Sequence, residues 1–117
     1  MVQSNKNTRI AFIINPVSGT NTKDNIKGSI QDYFENKNFS VEIITTKKAG
    51  DASRFATQFV RENFDAVIAV GGDGTVNEVA KGLIGSDVAM GIIPSGSGNG
   101  FARHLGIPLK AKGESSP

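Results

Sequence analysis

One aspartate of this sequence lies inside a glycine-rich loop, "VGGDGTVNE" (residues 70–78), directly after the apolar run "AVIAV". Glycines after a strand usually let the backbone close around an anionic phosphate. A carboxylate in the same loop would repel that phosphate. Three explanations are open: the loop binds no phosphate, a cation lies between Asp73 and the ligand, or Asp73 handles a proton.

The composition excludes several function classes. A chain of 117 residues predicts one domain, and 38% hydrophobic with 21% charged residues is ordinary for a globular protein. The formal net charge is +2, without a Lys/Arg block, so we expect no nucleic-acid partner. With no cysteine and one histidine, His104, we expect neither a disulfide scaffold nor a His/Cys metal cluster. Without an apolar leader or spanning run, we expect a cytoplasmic protein with peripheral membrane contact.

Apolar runs alternate with amphipathic segments along the chain. The short, β-branched runs predict strands at residues 9–15, 39–46, 65–70 and 88–94. Apolar residues at helical spacing predict helices within residues 23–38, 53–63, 75–84 and 99–105. This alternation predicts an α/β fold, a three-layer sandwich with a mostly parallel sheet and helices on both faces.

Small, hydroxyl-bearing and amide residues follow every predicted strand. The four loops contain "NPVSG", "TTKKAGD", "GGDGTVNE" and "PSGSGNG". Each loop alone has an ordinary explanation: a turn, a solvated loop for "KKAGD", a flexible tip, or a tight turn in which Thr75 caps a helix. In a parallel sheet, however, all four loops lie at the carboxyl edge, where ligands bind. Neither a P-loop nor a dinucleotide fingerprint is present.

Three motifs in order carry a family resemblance. "NPVSG", "GGDGTVNEV" and "IPSGSGNGFARHLGIP" closely resemble the catalytic domain of the diacylglycerol kinase family, which includes bacterial lipid kinases, sphingosine kinases and ceramide kinases. The resemblance covers residues 9 to about 109. GGDG alone also occurs in NAD kinases and phosphofructokinases, whereas three ordered motifs with "NE" behind the glycine loop are specific.

The resemblance implies ATP and Mg²⁺ as cofactors and a lipid hydroxyl, of diacylglycerol or a sphingoid-like lipid, as acceptor at the membrane surface. It implies nucleotide contacts from all four loops. The predicted nucleotide-binding residues are Asn15, Pro16, Val17, Ser18, Gly19, Thr46, Gly71, Gly72, Asp73, Gly74, Thr75, Val76, Asn77 and Ser97. Thr46 is assigned by counting back from "GDA" in the family's T-x-x-x-G-D-A pattern.

The resemblance also assigns Asp73 as the catalytic residue. The glycines around it would let backbone N–H groups approach the triphosphate, and Thr75 would begin a helix whose positive end faces that triphosphate. Asp73 would then orient the magnesium of Mg-ATP or accept the proton of the lipid hydroxyl. Both roles stay open.

The resemblance predicts a nucleotide-binding domain over residues 1–109, followed by a polar linker or truncation point at 110–117. Because the family carries a second, β-rich domain after this point, we expect that domain to be missing here. The fragment alone should then be inactive and prone to form a homo-oligomer. Gly100 replaces the aspartate that is common in bacterial relatives, so the identity of the acceptor lipid stays open. The alternatives are a non-catalytic nucleotide-binding fragment and, less favoured by "NPVSG" and "GSGNGFAR", an NAD kinase-like enzyme.

Overall fold

The computed structural model describes residues 8–16, 22–35 and 37–94, apart from the side chains of residues 22–26. Strands and helices alternate throughout this part. They are β1 (Thr8–Ile14), α1 (Thr22–Phe34), β2 (Phe39–Thr45), α2 (Asp51–Arg61), β3 (Ala66–Gly71), α3 (Asp73–Leu83) and β4 (Ala89–Pro94). The predicted alternation is confirmed over these residues. The helix predicted at residues 99–105 lies outside them.

The four strands form one parallel sheet in the order β2-β1-β3-β4. Ile14, the last residue of β1, pairs with Thr45 on one side and Val70 on the other. Gly71 of β3 pairs with Pro94 at the end of β4. All four strands therefore end at the same edge of the sheet, and the segments after them meet there.

Helices cover both faces of the sheet, which confirms the three-layer architecture. On one face, Ile30 and Phe34 of α1 pack on Phe12 and the other even-numbered residues of the central strands. On the other face, α2 and α3 cover the odd-numbered residues. This second cluster contains Ala11, Ile13, Ala52, Ala56, Phe59, Phe64, Val67, Ala69, Val79 and Leu83. Because β3 is buried on both faces, its sequence is continuously apolar.

Helices α2 and α3 pack closely against each other. A Cβ atom on Gly82 would lie 2.6 Å from both the Ala56 Cβ and the Ser53 carbonyl oxygen. Only glycine allows this approach without a shift of the α2 backbone. The contact fixes the relative position of the two helices, and both begin at the carboxyl edge of the sheet.

Both helix starts differ from the sequence prediction by two residues. Helix α2 begins at Asp51 instead of residue 53, and α3 begins at Asp73 instead of Thr75. Each helix has a glycine at its N-cap and an aspartate as its first residue, where a carboxylate interacts favourably with the helix dipole. Helix α1 ends at Phe34, earlier than the predicted limit of 38.

Candidate functional site

A cleft of about 420 Å³ lies at the carboxyl edge of the sheet. Residues from the segments after β1 and β2 and from the first turns of α2 and α3 line it. They are Asn15, Pro16, Thr46, Lys47, Lys48, Ala49, Ala52, Gly74, Thr75 and Glu78. Five of these were predicted from the sequence as nucleotide-binding residues. The structure thus brings together predicted residues from three separate loops.

Asn15, Gly71 and Thr75 form a tightly packed corner of the cleft. The Asn15 side-chain amide donates a hydrogen bond of 3.0 Å to the Thr75 hydroxyl oxygen, and the Asn15 backbone N–H donates to the Val70 carbonyl at 2.9 Å. A Cβ on Gly71 would lie 2.8 Å from the Thr75 hydroxyl oxygen and 3.2 Å from the Asn15 Cβ. A side chain at position 71 would therefore displace Thr75, which is buried.

The first turn of α3 opens into this cleft. Gly72 is the N-cap and provides no side-chain cap, and the first intrahelical bond runs from the Val76 N–H to the Gly72 carbonyl at 3.0 Å. The N–H groups of Asp73, Gly74 and Thr75 precede that bond and so have no intrahelical acceptor. Such N–H groups at the positive end of a helix bind anions well.

Asp73 is the first residue of α3, and its side chain is exposed. Among the residues that the structure describes, its carboxylate makes no hydrogen bond or ion pair. Asp73 therefore does not act as a structural turn cap within this part of the chain. Its carboxylate is available to a ligand at the start of α3.

Val76 and Asn77 differ from the other predicted residues of the glycine loop. The Val76 side chain packs against the apolar cluster beneath α2 and α3, and its N–H is used within the helix. Asn77 is exposed and does not line the cleft. Neither residue lines the cleft, whereas Gly74 and Thr75 do.

The loop after β2 forms the facing wall of the cleft. Thr46, its first residue, is buried, and its N–H donates to the Ile14 carbonyl at 2.9 Å. The sheet ladder therefore continues one residue beyond β2, and Thr46 is held close to the end of β1.

Asp51 organises this loop from within. Its carboxylate accepts hydrogen bonds from the backbone N–H groups of Lys47 (2.8 Å) and Lys48 (3.1 Å), and from the Arg54 guanidinium (2.6 Å). The Lys47 N–H bond and the Arg54 contact hold the pKa of Asp51 below its ordinary value. The interpretation of "KKAGD" as a solvated loop is wrong for this residue, since Asp51 is only 4% exposed.

A second carboxylate joins the loop to α3. The backbone N–H of Gly50, which has a left-handed conformation (φ 91°), donates to a carboxylate oxygen of Glu78 at 3.0 Å. In the sequence, "GDA" and "NE" served only as markers of the family resemblance. A Gly-Asp pair at a helix start was the available signal for Asp51, whereas the Glu78 contact is tertiary and leaves no local signal.

No group of three or more His, Cys, Asp or Glu side chains able to hold a metal ion occurs in the described part of the chain. Mg²⁺ in kinases is usually bound through one or two carboxylates together with substrate phosphates. The single exposed carboxylate of Asp73, beside the N–H groups of α3, fits a magnesium ion that arrives with the nucleotide. It does not fit a metal that the described residues hold alone.

Several predicted residues lie outside the described part. They are Val17, Ser18, Gly19 and Ser97, together with Gly100 and His104. Within the described part, no helix is long and apolar enough to cross a membrane.

The diacylglycerol kinase catalytic domain is the family whose model matches this chain, over residues 9–116. The chain belongs to this family. A diacylglycerol kinase of Bacillus subtilis (strain 168) is 40% identical over 102 residues, which cover 86% of this chain and 34% of that protein. A diacylglycerol kinase of Staphylococcus saprophyticus is 38% identical over 105 residues, with 86% and 33% covered. The chain thus spans about a third of the length of these curated relatives.

Solved structures agree with this assignment. A crystal structure of a diacylglycerol kinase from Bacillus anthracis str. Sterne superposes with a TM-score of 0.61 at 32% identity, covering 86% of this chain and 35% of that one. The solution structure of a phosphate-loop protein gives a TM-score of 0.65 at 21% identity, covering 89% of this chain and 91% of that one. The second likeness shows the fold alone. The α/β architecture is therefore shared with kinase and phosphate-loop structures.

Proposed function

We propose that this chain is the nucleotide-binding domain of an ATP-dependent lipid kinase, which transfers the γ-phosphate of ATP to a hydroxyl of diacylglycerol or a sphingoid-like lipid. One observation carries the proposal. The amino-terminal turn of α3, in a chain of the diacylglycerol kinase family, opens into a cleft that three of the predicted nucleotide loops build together.

The described residues have separate roles in the proposed binding of the phosphates. The N–H groups at the start of α3 would donate to phosphate oxygens, as helix amino termini do for anions. Asn15 fixes the Thr75 side chain through the 3.0 Å hydrogen bond, so the hydroxyl oxygen stays in one position. Gly71 gives Thr75 the space for that position.

Asp73 would be the residue closest to the chemistry. Magnesium bound with ATP would supply positive charge that offsets the charge of the phosphates. The Asp73 carboxylate, exposed and without a partner in the described part of the chain, would orient that ion or accept the proton of the lipid hydroxyl. Either role needs an ionised carboxylate beside the phosphate-binding N–H groups.

We propose that the lipid acceptor is bound mostly by residues other than those described. The cleft residues are polar or small and suit a nucleotide, and the matched part of this chain covers only about a third of the curated relatives' length. On this proposal, residues 1–109 bind nucleotide and residues 110–117 form a polar linker. The 117 residues alone would transfer phosphate poorly. The acceptor would be reached at a membrane surface.

A nucleotide-binding domain without transfer activity is the second candidate. It is favoured by the described lining of the cleft, which offers several groups for binding but only one carboxylate, that of Glu78. An NAD kinase-like enzyme is less well supported, because the family model that matches is that of diacylglycerol kinases.

Calorimetric titration with Mg-ATP, followed by a phosphate-transfer assay with short-chain diacylglycerol in mixed micelles, separates these functions. Binding with transfer, in this chain or in a longer natural polypeptide that contains it, supports the lipid kinase. Binding without transfer in both supports the second candidate. A chain that folds but does not bind Mg-ATP contradicts both.

A further inference from the structure

The charge of the cleft wall is unevenly distributed. Among the described residues, three charged ones line the cleft: Lys47, Lys48 and Glu78. Asp51 lies behind the wall and is ion-paired with Arg54. Neither lysine ammonium takes part in a salt bridge within the described part of the chain. The described lining therefore carries two lysine ammonium groups and one carboxylate, an excess of positive charge.

Three backbone N–H groups of this wall already donate to protein carboxylates. A loop of consecutive N–H groups is often an anion-binding concavity, but here protein carboxylates already occupy it. Asp51 accepts from the N–H groups of Lys47 and Lys48, and Glu78 accepts from that of Gly50. Those three N–H groups are therefore closed to an anion, and the lysine side chains supply the positive charge on this side of the cleft.

The loop faces the start of α3 across the same cleft. Lys47 and Lys48 line one wall, whereas Gly74 and Thr75 line the other. A polyphosphate held by the N–H groups of α3 would therefore lie between the helix and the lysines. Lysine serves well as a compact point charge for phosphates.

We propose that Lys47 and Lys48 form a cationic clamp that closes on the polyphosphate of the nucleotide. Asp51 and Glu78 are its positioning residues, because their carboxylates hold the backbone of the loop that carries the clamp. This inference rests on the proposed nucleotide-binding function. It adds a specificity: the clamp acts on the β- and γ-phosphates, so it favours nucleoside triphosphates over monophosphates.

The test is a titration of this chain with Mg-ATP and, separately, with AMP. The double variant Lys47→Gln/Lys48→Gln removes both charges and keeps long polar side chains. The loop should be preserved, because the bonds to Asp51 come from backbone N–H groups that any residue supplies. We expect Mg-ATP affinity to fall about tenfold or more, AMP affinity by less than about twofold, and the melting temperature to stay unchanged.

Lys81→Gln is the matched control, because Lys81 is exposed in the last turn of α3 and does not line the cleft. An equal loss of Mg-ATP affinity in this control would mean that net charge, not the clamp, matters, and would overturn the proposal. Unchanged Mg-ATP affinity in the double variant, or an equal loss for Mg-ATP and AMP, would also overturn it. If the unmodified chain does not bind Mg-ATP, the proposed function itself fails.

The positioning role of Glu78 has its own test. Glu78→Gln keeps an oxygen that accepts from the Gly50 N–H, whereas Glu78→Ala removes it. We expect Glu78→Gln to retain or improve Mg-ATP affinity and Glu78→Ala to weaken it several-fold. An equal weakening by both variants would show that Glu78 acts through its charge, and would contradict its role in holding the loop.

Discussion

Two helices of this protein begin with the same dipeptide, Gly50–Asp51 for α2 and Gly72–Asp73 for α3. In both, the glycine is the N-cap and the aspartate is the first helical residue. Asp51 is buried and accepts three hydrogen bonds. Asp73 is exposed and has no partner in the described part of the chain. Among the described residues, only the first carboxylate is used by the fold.

The chain before each glycine explains the difference. A loop of several residues separates β2 from α2, and it turns back so that its N–H groups reach Asp51. Strand β3 runs directly to Gly71, and α3 begins two residues later, so no loop precedes Asp73 that could fold back onto it. Within the described residues, the same helix start therefore yields a structural carboxylate in one place and a carboxylate without a partner in the other.

The largest effect is expected from Asp73→Asn. This change keeps the size of the side chain and removes only its charge. Turnover in an active polypeptide that contains these residues should fall by about a hundredfold or more, the usual scale for loss of a general base or metal-orienting group. The melting temperature should fall only slightly, because within the described residues Asp73 has no hydrogen bond or ion pair to lose and only its favourable interaction with the helix dipole is weakened. Phosphate transfer and thermal unfolding measure the two quantities.

Asp51→Asn is the control that completes the comparison. It should lower the melting temperature. It should reduce turnover only to the extent that it loosens the clamp loop, the loop after β2 that carries Lys47 and Lys48. A fall in melting temperature for Asp73→Asn as large as that for Asp51→Asn, or near-normal turnover in Asp73→Asn, would contradict the difference between the two aspartates.

Asp51→Ala should give the second-largest effect, on stability. It leaves the N–H groups of Lys47 and Lys48 without their acceptor, and unpaired polar groups destabilise a fold. We expect a fall in melting temperature on the order of 5 °C, measured by circular dichroism. An unchanged melting temperature would show that the loop is held by other contacts.

The corner beneath α3 should be sensitive to volume. Gly71→Ala would push against the Thr75 hydroxyl and break its bond to Asn15, at a cost of about 1–3 kcal/mol, with weaker Mg-ATP binding. Gly74→Ala is the control for stability, because an added Cβ at this position meets nothing within 4 Å. Urea unfolding of both variants checks the contrast, and equal stability in the two would contradict the packing described for Gly71.

The smallest effect concerns pH. The pKa of Asp51 is lowered in the folded state, so its contribution to stability is present above its unfolded pKa of about 3.9 and is lost as the pH falls through the lower folded pKa. The difference in melting temperature between the unmodified chain and Asp51→Asn should therefore shrink from pH 5 down to pH 3 and below. A difference that does not depend on pH would mean that the charge of Asp51 is not what stabilises the loop.

The sequence predicted the layers well because burial on both faces leaves a strong local signal. The runs that became β1 and β3 are continuously apolar from Ile10 to Ile14 and from Ala66 to Gly71, as is typical of a central parallel strand. Both helix starts were missed by the same two residues for one reason. Glycine and aspartate are typical of turns, and a Gly-Asp pair that begins a helix has the same local sequence as one that ends a loop.

The site was only partly predictable for a different reason. Asn15, Thr46 and Thr75 follow strands, so parallel topology alone brings them to one cleft. The partners of Asp51 and Glu78 depend on how the loop after β2 folds against α3, and no periodicity in the sequence records that contact. The sequence placed the loop that contains Lys47 and Lys48 at the ligand-binding edge but did not single out the two lysines, because their position in the cleft wall depends on that same fold.

Amide chemical-shift changes during titration of this chain with Mg-ATP test the central claim most directly, namely that the start of α3 binds phosphate across from the clamp loop. We predict the largest changes at Gly72, Gly74 and Thr75, smaller ones at Lys47 and Lys48, and none at Ser86 and Asp87 on the opposite edge of the sheet. Saturable shifts confined to the opposite edge, or amides at residues 72–75 that do not move, would contradict the account.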